Sequence, residues 1–340
     1  MTEARLAALG VTRLPLPVPF PQAGGPVNVY LVEEDGGLLL FDAGLGTAEA
    51  EEALGEGFAR AGRRFDEVRR IVLSHGHVDH FGAARSILER AGRPIEVRVH
   101  PADWGKVAAA APGMRELWPH YGAHLARLGV PEAVLAEVAR ELGGGFTFAR
   151  RLEAVDPLVP GEVLRTRHLA LEVVHMPGHT PGLCGLYERR HRLFFSADHL
   201  LEKVSPNPLI ELGPRGEEGR FRPLVAYLDS LETLRRLEVD LVLPGHGPPF
   251  GDHRRVIDGL LQFYARRQEK VSELLAEGAR TGYEVTRALF PRTAPGDLFL
   301  AISEAVANLE VLEARGLVTR ALEKGVYRFS LALPKVGAAP

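Results

Sequence analysis

The segment Ser74-His75-Gly76-His77-Val78-Asp79-His80 carries the densest group of reactive side chains in the sequence. Three imidazoles and one carboxylate directly follow the apolar run Ile71-Val72-Leu73. Such a run is typical of a buried strand, so the segment is expected at a strand's carboxyl end, where α/β proteins commonly build their sites. Clustered imidazoles repel one another when protonated and need partners when buried. A bound metal ion satisfies both conditions, because neutral imidazole nitrogens are good metal ligands.

Three later turns also place ligand-type side chains directly after apolar runs. They are Met176-Pro177-Gly178-His179, Ser196-Ala197-Asp198 and Pro244-Gly245-His246. Glycine in such turns lets the backbone approach a bound ion closely, and proline restricts the turn. The complete set of nitrogen and oxygen donors is His75, His77, Asp79, His80, His179, Asp198 and His246. Two metal ions need roughly eight to ten donors, which these side chains and a bridging water nearly supply. The donor types favour zinc, with iron or manganese as alternatives.

Strands alternate with helices over the first half of the chain, which predicts an α/β fold. Residues 1–45 are predicted to form paired short strands, including a hairpin of Val27–Val32 with Leu38–Phe41. Further strands are predicted at 71–73, 96–99, 171–176, 183–187, 193–195 and 241–243, and helices at 47–61, 82–91 and 221–237. Residues 101–153 differ, because they contain two or three helical stretches and a cluster of aromatic side chains. This helical insertion is a candidate substrate lid, although ordinary covering helices explain it equally well.

After Pro248-Pro249 the sequence becomes mainly helical, with helices predicted at 256–278, 281–290 and 298–315. Two short strands around Lys324-Gly325 then suggest a hairpin. Helices followed by a small hairpin are typical of a winged-helix unit. We therefore predict a catalytic domain over 1–252 and a smaller, winged-helix-like domain over 253–335.

The four motifs resemble those of the metallo-β-lactamase superfamily, in which HxHxDH, a later His, an Asp and a last His occur in this order after strands. The resemblance covers roughly residues 10–250 and implies a four-layer αββα sandwich with the site at one edge of the facing sheets. It also implies that His75, His77 and His179 hold one metal ion, and that a second set, Asp79, His80 and His246, holds the other. Asp198 would bridge both ions, and Asp42 in Phe41-Asp42-Ala43-Gly44 would support the histidine loop by hydrogen bonds. The residue types alone leave Asp42 equally open to capping its own turn.

Two adjacent metal ions can share a hydroxide that attacks a carbonyl or phosphorus atom, which predicts a metal-dependent hydrolase. Asp79 is the candidate catalytic residue, because it could orient this hydroxide and transfer its proton. One substrate class is a small ester or thioester, as in glyoxalase II. The other is a phosphodiester, as in single-stranded RNA. A signature for a serine nucleophile of the G-x-S-x-G type does not occur in the sequence.

The C-terminal region bears on this choice, since residues 255–332 resemble the winged helix of lactamase-like endoribonucleases. By that resemblance Tyr264, Arg266 and Arg267 could contact substrate, whereas a solvated helix face is the simpler interpretation of the arginines. Acidic residues in this region, namely Glu304, Glu310, Glu313 and Glu323, argue against RNA binding. Winged helices also mediate dimerisation, so a homodimer is a further hypothesis.

Composition narrows the function classes. The net charge of −3 over 340 residues gives no overall attraction to nucleic acid or to an anionic membrane. A single cysteine, Cys184, excludes an intramolecular disulfide and a zinc site built from cysteines. Neither a signal peptide nor a membrane-length apolar run is recognised, so a cytoplasmic location without membrane association is expected. A mononuclear iron persulfide dioxygenase and a non-catalytic nucleic-acid-binding regulator are the alternatives from other classes.

Overall fold

The computed structural model describes residues 2–19, 21–144, 148–294 and 296–332 of the chain. Its helices are α1 (Thr2–Ala8), α2 (Ala48–Arg60), α3 (Val78–Phe81), α4 (Ala84–Ala91), α5 (Trp104–Val107), α6 (Met114–Arg127), α7 (Glu132–Gly144), α8 (Pro223–Leu234), α9 (His253–Ala276), α10 (Gly282–Leu289) and α11 (Leu298–Ala314). Its strands are β1 (Val11–Leu16), β2 (Val27–Glu34), β3 (Gly37–Phe41), β4 (Val68–Val72), β5 (Glu96–Val99), β6 (Asp156–Pro157), β7 (Val163–Arg165), β8 (Ala170–His175), β9 (Cys184–Glu188), β10 (Leu193–Ala197), β11 (Leu241–Pro244), β12 (Val318–Glu323) and β13 (Val326–Leu331).

Most strands belong to two sheets that carry the candidate site. The first sheet has the order β1-β2-β3-β4-β5-β6, in which β1 to β3 are antiparallel and β3 to β6 run parallel. The second has the order β11-β10-β9-β8-β7, with β10 and β11 parallel and the other pairs antiparallel. Parallel neighbours need crossover connections, and α2 and α4 connect β3 to β4 and β4 to β5. The fold is the α/β, four-layer αββα arrangement that the motifs predicted.

A buried apolar layer joins the facing sides of the two sheets. It contains Tyr30, Phe41 and Val72 from the first sheet and Leu186 and Phe195 from the second. The ring of Phe195 meets Tyr30 and Phe41 edge to face, at centroid distances of 5.2 and 5.8 Å. Strands β9 and β10 are buried at every position, including the polar Glu188 and Ser196.

Another apolar layer lies on the other side of the first sheet, where α2 and α4 cover it. Leu54 and Phe58 of α2 and Ile87 of α4 pack there against strand residues such as Leu40 and Ile71. Thr47 is the N-cap of α2, as predicted, and its hydroxyl accepts a hydrogen bond from the Ala50 N–H at 3.3 Å. These contacts fix the carboxyl ends of β3 and β4, after which Asp42 and the histidine segment follow.

The chain divides into two compact units. The first unit comprises residues 1–113, 144–206 and 230–258, and the second comprises 114–143, 207–229 and 259–340. Both sheets belong to the first unit. The predicted domain boundary at 252/253 lies close to the division at 258/259, but 114–143 and 207–229 cluster with the C-terminal helices.

The second unit has its own core around α11, in which Phe299 and every residue from Ala301 to Leu312 are buried. A helix that is buried on all its faces lies in the centre of a core, and here the buried residues include the polar Glu304, Asn308 and Glu310. Side chains of α6, α7, α9 and α10 pack in the same cluster, among them Leu125, Val138, Val271 and Val285. The helical insertion predicted at 101–153 therefore gives its two longer helices to this core. The predicted C-terminal hairpin is confirmed as β12 and β13, which pair antiparallel.

The prediction of paired strands over residues 1–45 is wrong at its beginning. Thr2–Ala8 is a helix, and the strands begin only at Val11. The reason is local, because alanine, leucine, arginine and glutamate in this segment all have high helix propensity. The hairpin of β2 and β3 is confirmed, with Tyr30 opposite Phe41.

Over the described residues, the helices are all too short or too polar to cross a lipid bilayer.

Candidate metal centre

The histidine segment follows β4 and continues into α3. His75 and His77 lie on the connecting loop, whereas Asp79 and His80 lie on the first turn of α3. The peptide carbonyl of His77 accepts hydrogen bonds from the N–H groups of His80 and Phe81, at 3.0 and 3.1 Å. This change from extended to helical backbone places four ligand-type side chains of one short segment around the same point.

The three other ligand loops come from the second sheet. His179 follows β8, Asp198 follows β10 and His246 follows β11. The loops are joined by backbone hydrogen bonds, of which Gly245 N–H to the Ala197 carbonyl, 2.7 Å long, connects the last two. Each predicted strand end therefore delivers its side chain to the same edge of the two sheets.

The seven side chains form two adjoining clusters. Ligand atoms of His75, His77 and His179 lie within 4.8 Å of one another, and so do those of a second set, Asp79, His80 and His246. Asp198 lies between the two sets. Its Oδ2 is 3.3 Å from His80 Nε2, 3.6 Å from His179 Nε2 and 3.6 Å from His246 Nε2. His75, His80 and Asp198 form a third group within the same distance, so the two sets adjoin, and their predicted partition between two ions stays a prediction.

Several polar atoms of the cluster are buried without a hydrogen bond. Among the described residues no hydrogen-bond partner is found for His75 Nε2, His80 Nε2 or Asp198 Oδ1. Leaving such atoms unsatisfied costs about 1–3 kcal/mol each. A metal ion would satisfy them together, and the mixture of imidazole and carboxylate donors suits a divalent ion. The residues therefore fit a metal centre.

The imidazoles of the two sets differ in their protonation, and an imidazole that binds a metal ion must be neutral. Burial lowers the pKa of His75 and His77 well below its usual value, and neighbouring imidazoles lower it further, so both rings are neutral. Burial opposes ionisation of Asp79, yet the nearby His80 and His246 lower the pKa of its carboxyl to about 2. Burial also disfavours the charged form of His80, but the carboxylates of Asp198 and Asp42 outweigh it and raise the pKa of this imidazole. Metal ions at these positions would compete with that proton.

Comparison with known proteins agrees with the geometry. The model of the metallo-beta-lactamase superfamily matches residues 23–246. The chain belongs to this superfamily. A model described as "Metallo-beta-lactamase-like, C-terminal domain" matches residues 268–332.

Similar proteins include members of this superfamily that are named hydrolases. The chain is 32% identical over 320 residues to the probable metallo-hydrolase YqjP of Bacillus subtilis, covering 92% of this chain and 95% of that one. It is 30% identical to the acyl-coenzyme A thioesterase MBLAC2 of Gallus gallus, over 69% of this chain and 77% of the relative. A crystal structure of a metallo-beta-lactamase family protein from Thermus thermophilus superposes with a TM-score of 0.76 at 29% identity, covering 95% of this chain and 98% of the other. The protein is a metal-binding hydrolase of the superfamily.

Asp42 lies where the superfamily resemblance placed it, beside the histidine loop. Its Oδ1 accepts the Ser74 N–H at 2.7 Å, and its Oδ2 accepts the Ser74 hydroxyl at 2.8 Å. The same Oδ2 is 2.8 Å from His80 Nδ1, so it fixes the ring with Nε2 towards the cluster. Asp42 has φ 64°, a conformation that aspartate adopts more readily than most residues. The side chain thus joins the end of β3 to the histidine loop and orients the His80 ring.

Asp103 is a further carboxylate at the site that the sequence did not reveal. This fully buried side chain accepts hydrogen bonds from Gly76 N–H at 2.9 Å, Thr180 Oγ1 at 2.6 Å and Gly182 N–H at 3.0 Å. Lys106 Nζ lies 3.2 Å from it. Asp103 therefore ties the loop of His75 and His77 to the loop of His179. Its only sequence signal is a position shortly after a strand, which is too general to indicate this role.

Gly245 allows the shared carboxylate to approach. A Cβ built at this position would lie 2.1 Å from Asp198 Oδ1 and 3.0 Å from the His80 ring. Ala197, just before Asp198, has φ 46° at a bulge in β10. Backbone in this uncommon region persists only where surrounding structure enforces it, as is frequent at functional sites.

The remaining predicted residues lie outside the clusters. Tyr264 is buried in the second unit, edge to face with Tyr227 at 6.0 Å. Arg266 is exposed on α9, and the guanidinium of Arg267 packs over the rings of Phe263 and Phe290 at 5.2 and 4.8 Å. None of the three belongs to a metal-ligand cluster among the described residues. Their contact with substrate stays a prediction.

Proposed function

We propose that the protein is a binuclear zinc hydrolase that cleaves a thioester bond in an acyl thioester. The observation that carries this proposal is the pair of three-residue ligand sets around Asp198, whose Oδ2 is within 3.6 Å of one imidazole of the first set and two of the second. Two zinc ions held there would activate a water molecule and stabilise negative charge on the substrate oxygen.

The chain's own residues have distinct roles in this reaction. Asp198 holds the two ligand sets together, and Asp42 and Asp103 fix the loops that carry them. Asp79 has Oδ2 3.2 Å from His246 Nε2 and retains slight exposure, so its carboxylate can orient a water molecule and accept its proton. Water would supply the oxygen that attacks the carbonyl carbon, and the thiolate would leave as the C–S bond breaks, so the reaction needs no protein nucleophile.

The choice of a thioester rests mainly on the relatives. MBLAC2 is named an acyl-coenzyme A thioesterase and matches this chain over most of its length. The acidic residues of the C-terminal region are a weaker argument against RNA binding than the sequence suggested, because Glu304 and Glu310 are buried and do not contribute surface charge.

We also propose a cytoplasmic location, which suits a chain whose single cysteine is buried and free.

Metal content and substrate turnover test this proposal together. The purified protein is analysed by elemental mass spectrometry and incubated with an acyl-coenzyme A thioester, a labelled single-stranded RNA and glutathione persulfide with oxygen. We expect about two zinc ions per chain and thioester hydrolysis that disappears in Asp198→Ala purified in the same way. RNA cleavage instead of thioester hydrolysis would move the assignment to the endoribonucleases. One iron per chain with oxygen consumption would replace it by a persulfide dioxygenase.

A further inference from the structure

A polar cavity of ≈ 280 Å³ lies in the second unit, and the proposed hydrolysis uses none of its residues. Its lining consists of Glu217, Gly219, Arg220, Arg222 and Arg320. A water molecule needs only about 10–15 Å³ of such space, so the cavity has room for a small molecule. Three guanidinium groups line it beside the carboxylate of Glu217.

Arg220 is the most confined of these arginines. Its side chain is only 8% exposed, forms an ion pair with Glu310 and donates to the Phe221 carbonyl at 3.2 Å. Burial and the positive charges of Arg222 and Arg320 together lower the pKa of Arg220 to about 10, against the carboxylates of Glu217 and Glu313, which raise it. The carboxylates of Glu217, Glu310 and Glu313 balance the three guanidinium charges, so the cavity is distinguished by its number of N–H donors and not by excess charge.

The neighbouring carboxylates are already engaged. Glu313 is shared, with Arg222 at 3.1 Å and Arg320 at 3.2 Å. The two oxygens of Glu217 accept from His124 Nδ1 at 2.7 Å and from the Tyr327 hydroxyl at 2.6 Å. Since each guanidinium has five N–H donors, one carboxylate shared by two arginines leaves donors for another acceptor.

We propose that this cavity binds the phosphate group of a small organic phosphate. Arginine presents a planar fork that matches phosphate oxygens in pairs, and three such forks around a partly desolvated space form a strong receptor for it. The cavity is larger than one tetrahedral anion, so the phosphate is expected to carry an organic group. Binding to the folded cavity would satisfy further N–H donors of Arg220, Arg222 and Arg320 and would therefore stabilise the second unit.

Titration calorimetry and thermal melting of the full-length, metal-loaded protein test this site with three probes. Adenosine 3′,5′-bisphosphate is expected to bind and raise the melting temperature, inorganic phosphate to do so more weakly, and adenosine not at all. In Arg222→Ala and Arg320→Ala the bisphosphate affinity should fall at least about tenfold, as for the loss of a charge-assisted pair. Arg328→Ala is the matched control, because Arg328 lies in the same hairpin but pairs with Glu284 at 2.9 Å.

Three outcomes would overturn the proposal. They are unchanged bisphosphate affinity in both variants, equal binding of adenosine, and tighter arginine-dependent binding of a single-stranded oligonucleotide. Phosphate bound at the metal centre does not confuse the test, since that binding persists in the arginine variants. If an alanine variant melts early, Arg222→Lys replaces it, because lysine keeps the charge but loses the planar fork. Unchanged affinity in Arg222→Lys and Arg320→Ala would then reject the site.

Discussion

Asp198 shows how much of the site depends on single residues. Its Oδ2 is close to imidazoles of both ligand sets. We expect Asp198→Ala to lose most bound metal and most activity together, because both sets lose the carboxylate between them. Metal content by elemental mass spectrometry and turnover are measured side by side. Asp240→Ala, in an exposed ion pair of the same unit, serves as the control. Two full equivalents of metal in Asp198→Ala would contradict the shared position.

His246→Ala separates the two ligand sets. His246 contacts Asp79 and Asp198 but is absent from the set formed by His75, His77 and His179. We therefore expect the variant to lose mainly one metal ion and to keep the other. Loss of neither ion would show that the second set is assigned wrongly.

Asp103→Asn tests a residue that touches no ligand atom of the clusters but holds two of their loops. The amide replaces one acceptor oxygen with a donor, so the variant loses either the Gly76 N–H contact or the Gly182 and Lys106 contacts, depending on the orientation of the amide, while the Thr180 hydroxyl can turn to accept. Second-sphere changes of this kind typically weaken metal affinity about 10–100-fold. Competition with a coloured chelator measures this loss, and Asp35→Asn, at an almost fully exposed position, is the control. Wild-type affinity in Asp103→Asn would exclude the role.

At the scale of elements, ligands follow the ends of β4, β8, β10 and β11. The sequence predicted these strand ends because apolar runs stop there at glycine, proline or polar residues. It could not predict the very short β6 and β7, since two or three residues carry no periodic signal. The helix α1 was not predicted, although its residues have high helix propensity.

The capping box of α10 provides a stability test confined to the second unit. Thr281 Oγ1 accepts the Glu284 N–H at 3.1 Å, and the Glu284 carboxylate accepts the Thr281 N–H at 2.7 Å. Thr281→Ala should lower the free energy of unfolding by about 1 kcal/mol, as measured by urea denaturation. Thr281→Ser removes the methyl group, which lies 3.0 Å from where a Cβ on Gly129 would stand, but keeps the cap, so it should retain most of the stability. Equal losses in both variants would assign the effect to packing instead.

At the scale of the whole molecule, metal binding should couple to folding of the first unit. The ligand loops bring buried imidazoles and carboxylates together, and a bound ion stabilises only the folded arrangement. Removal of metal by dialysis against a chelator should therefore lower the melting temperature of the first unit by several degrees, as measured by calorimetry. Added zinc should restore it, while Asp198→Ala should respond little to the chelator. A melting curve that does not change on chelation would contradict this coupling.

The sequence by itself determined the α/β class, the order of the main elements and the seven ligand-type side chains. It could do so because strand ends, turn residues and histidine spacing are local features, and the ligands occur in short motifs. Only the tertiary structure decided which side chains share a cluster, that Asp103 joins two loops and that residues 114–143 and 207–229 pack with the C-terminal helices. It likewise showed that Glu304 and Glu310 are buried and that three arginines surround one cavity. These features depend on contacts between residues far apart in the chain, which no local pattern records.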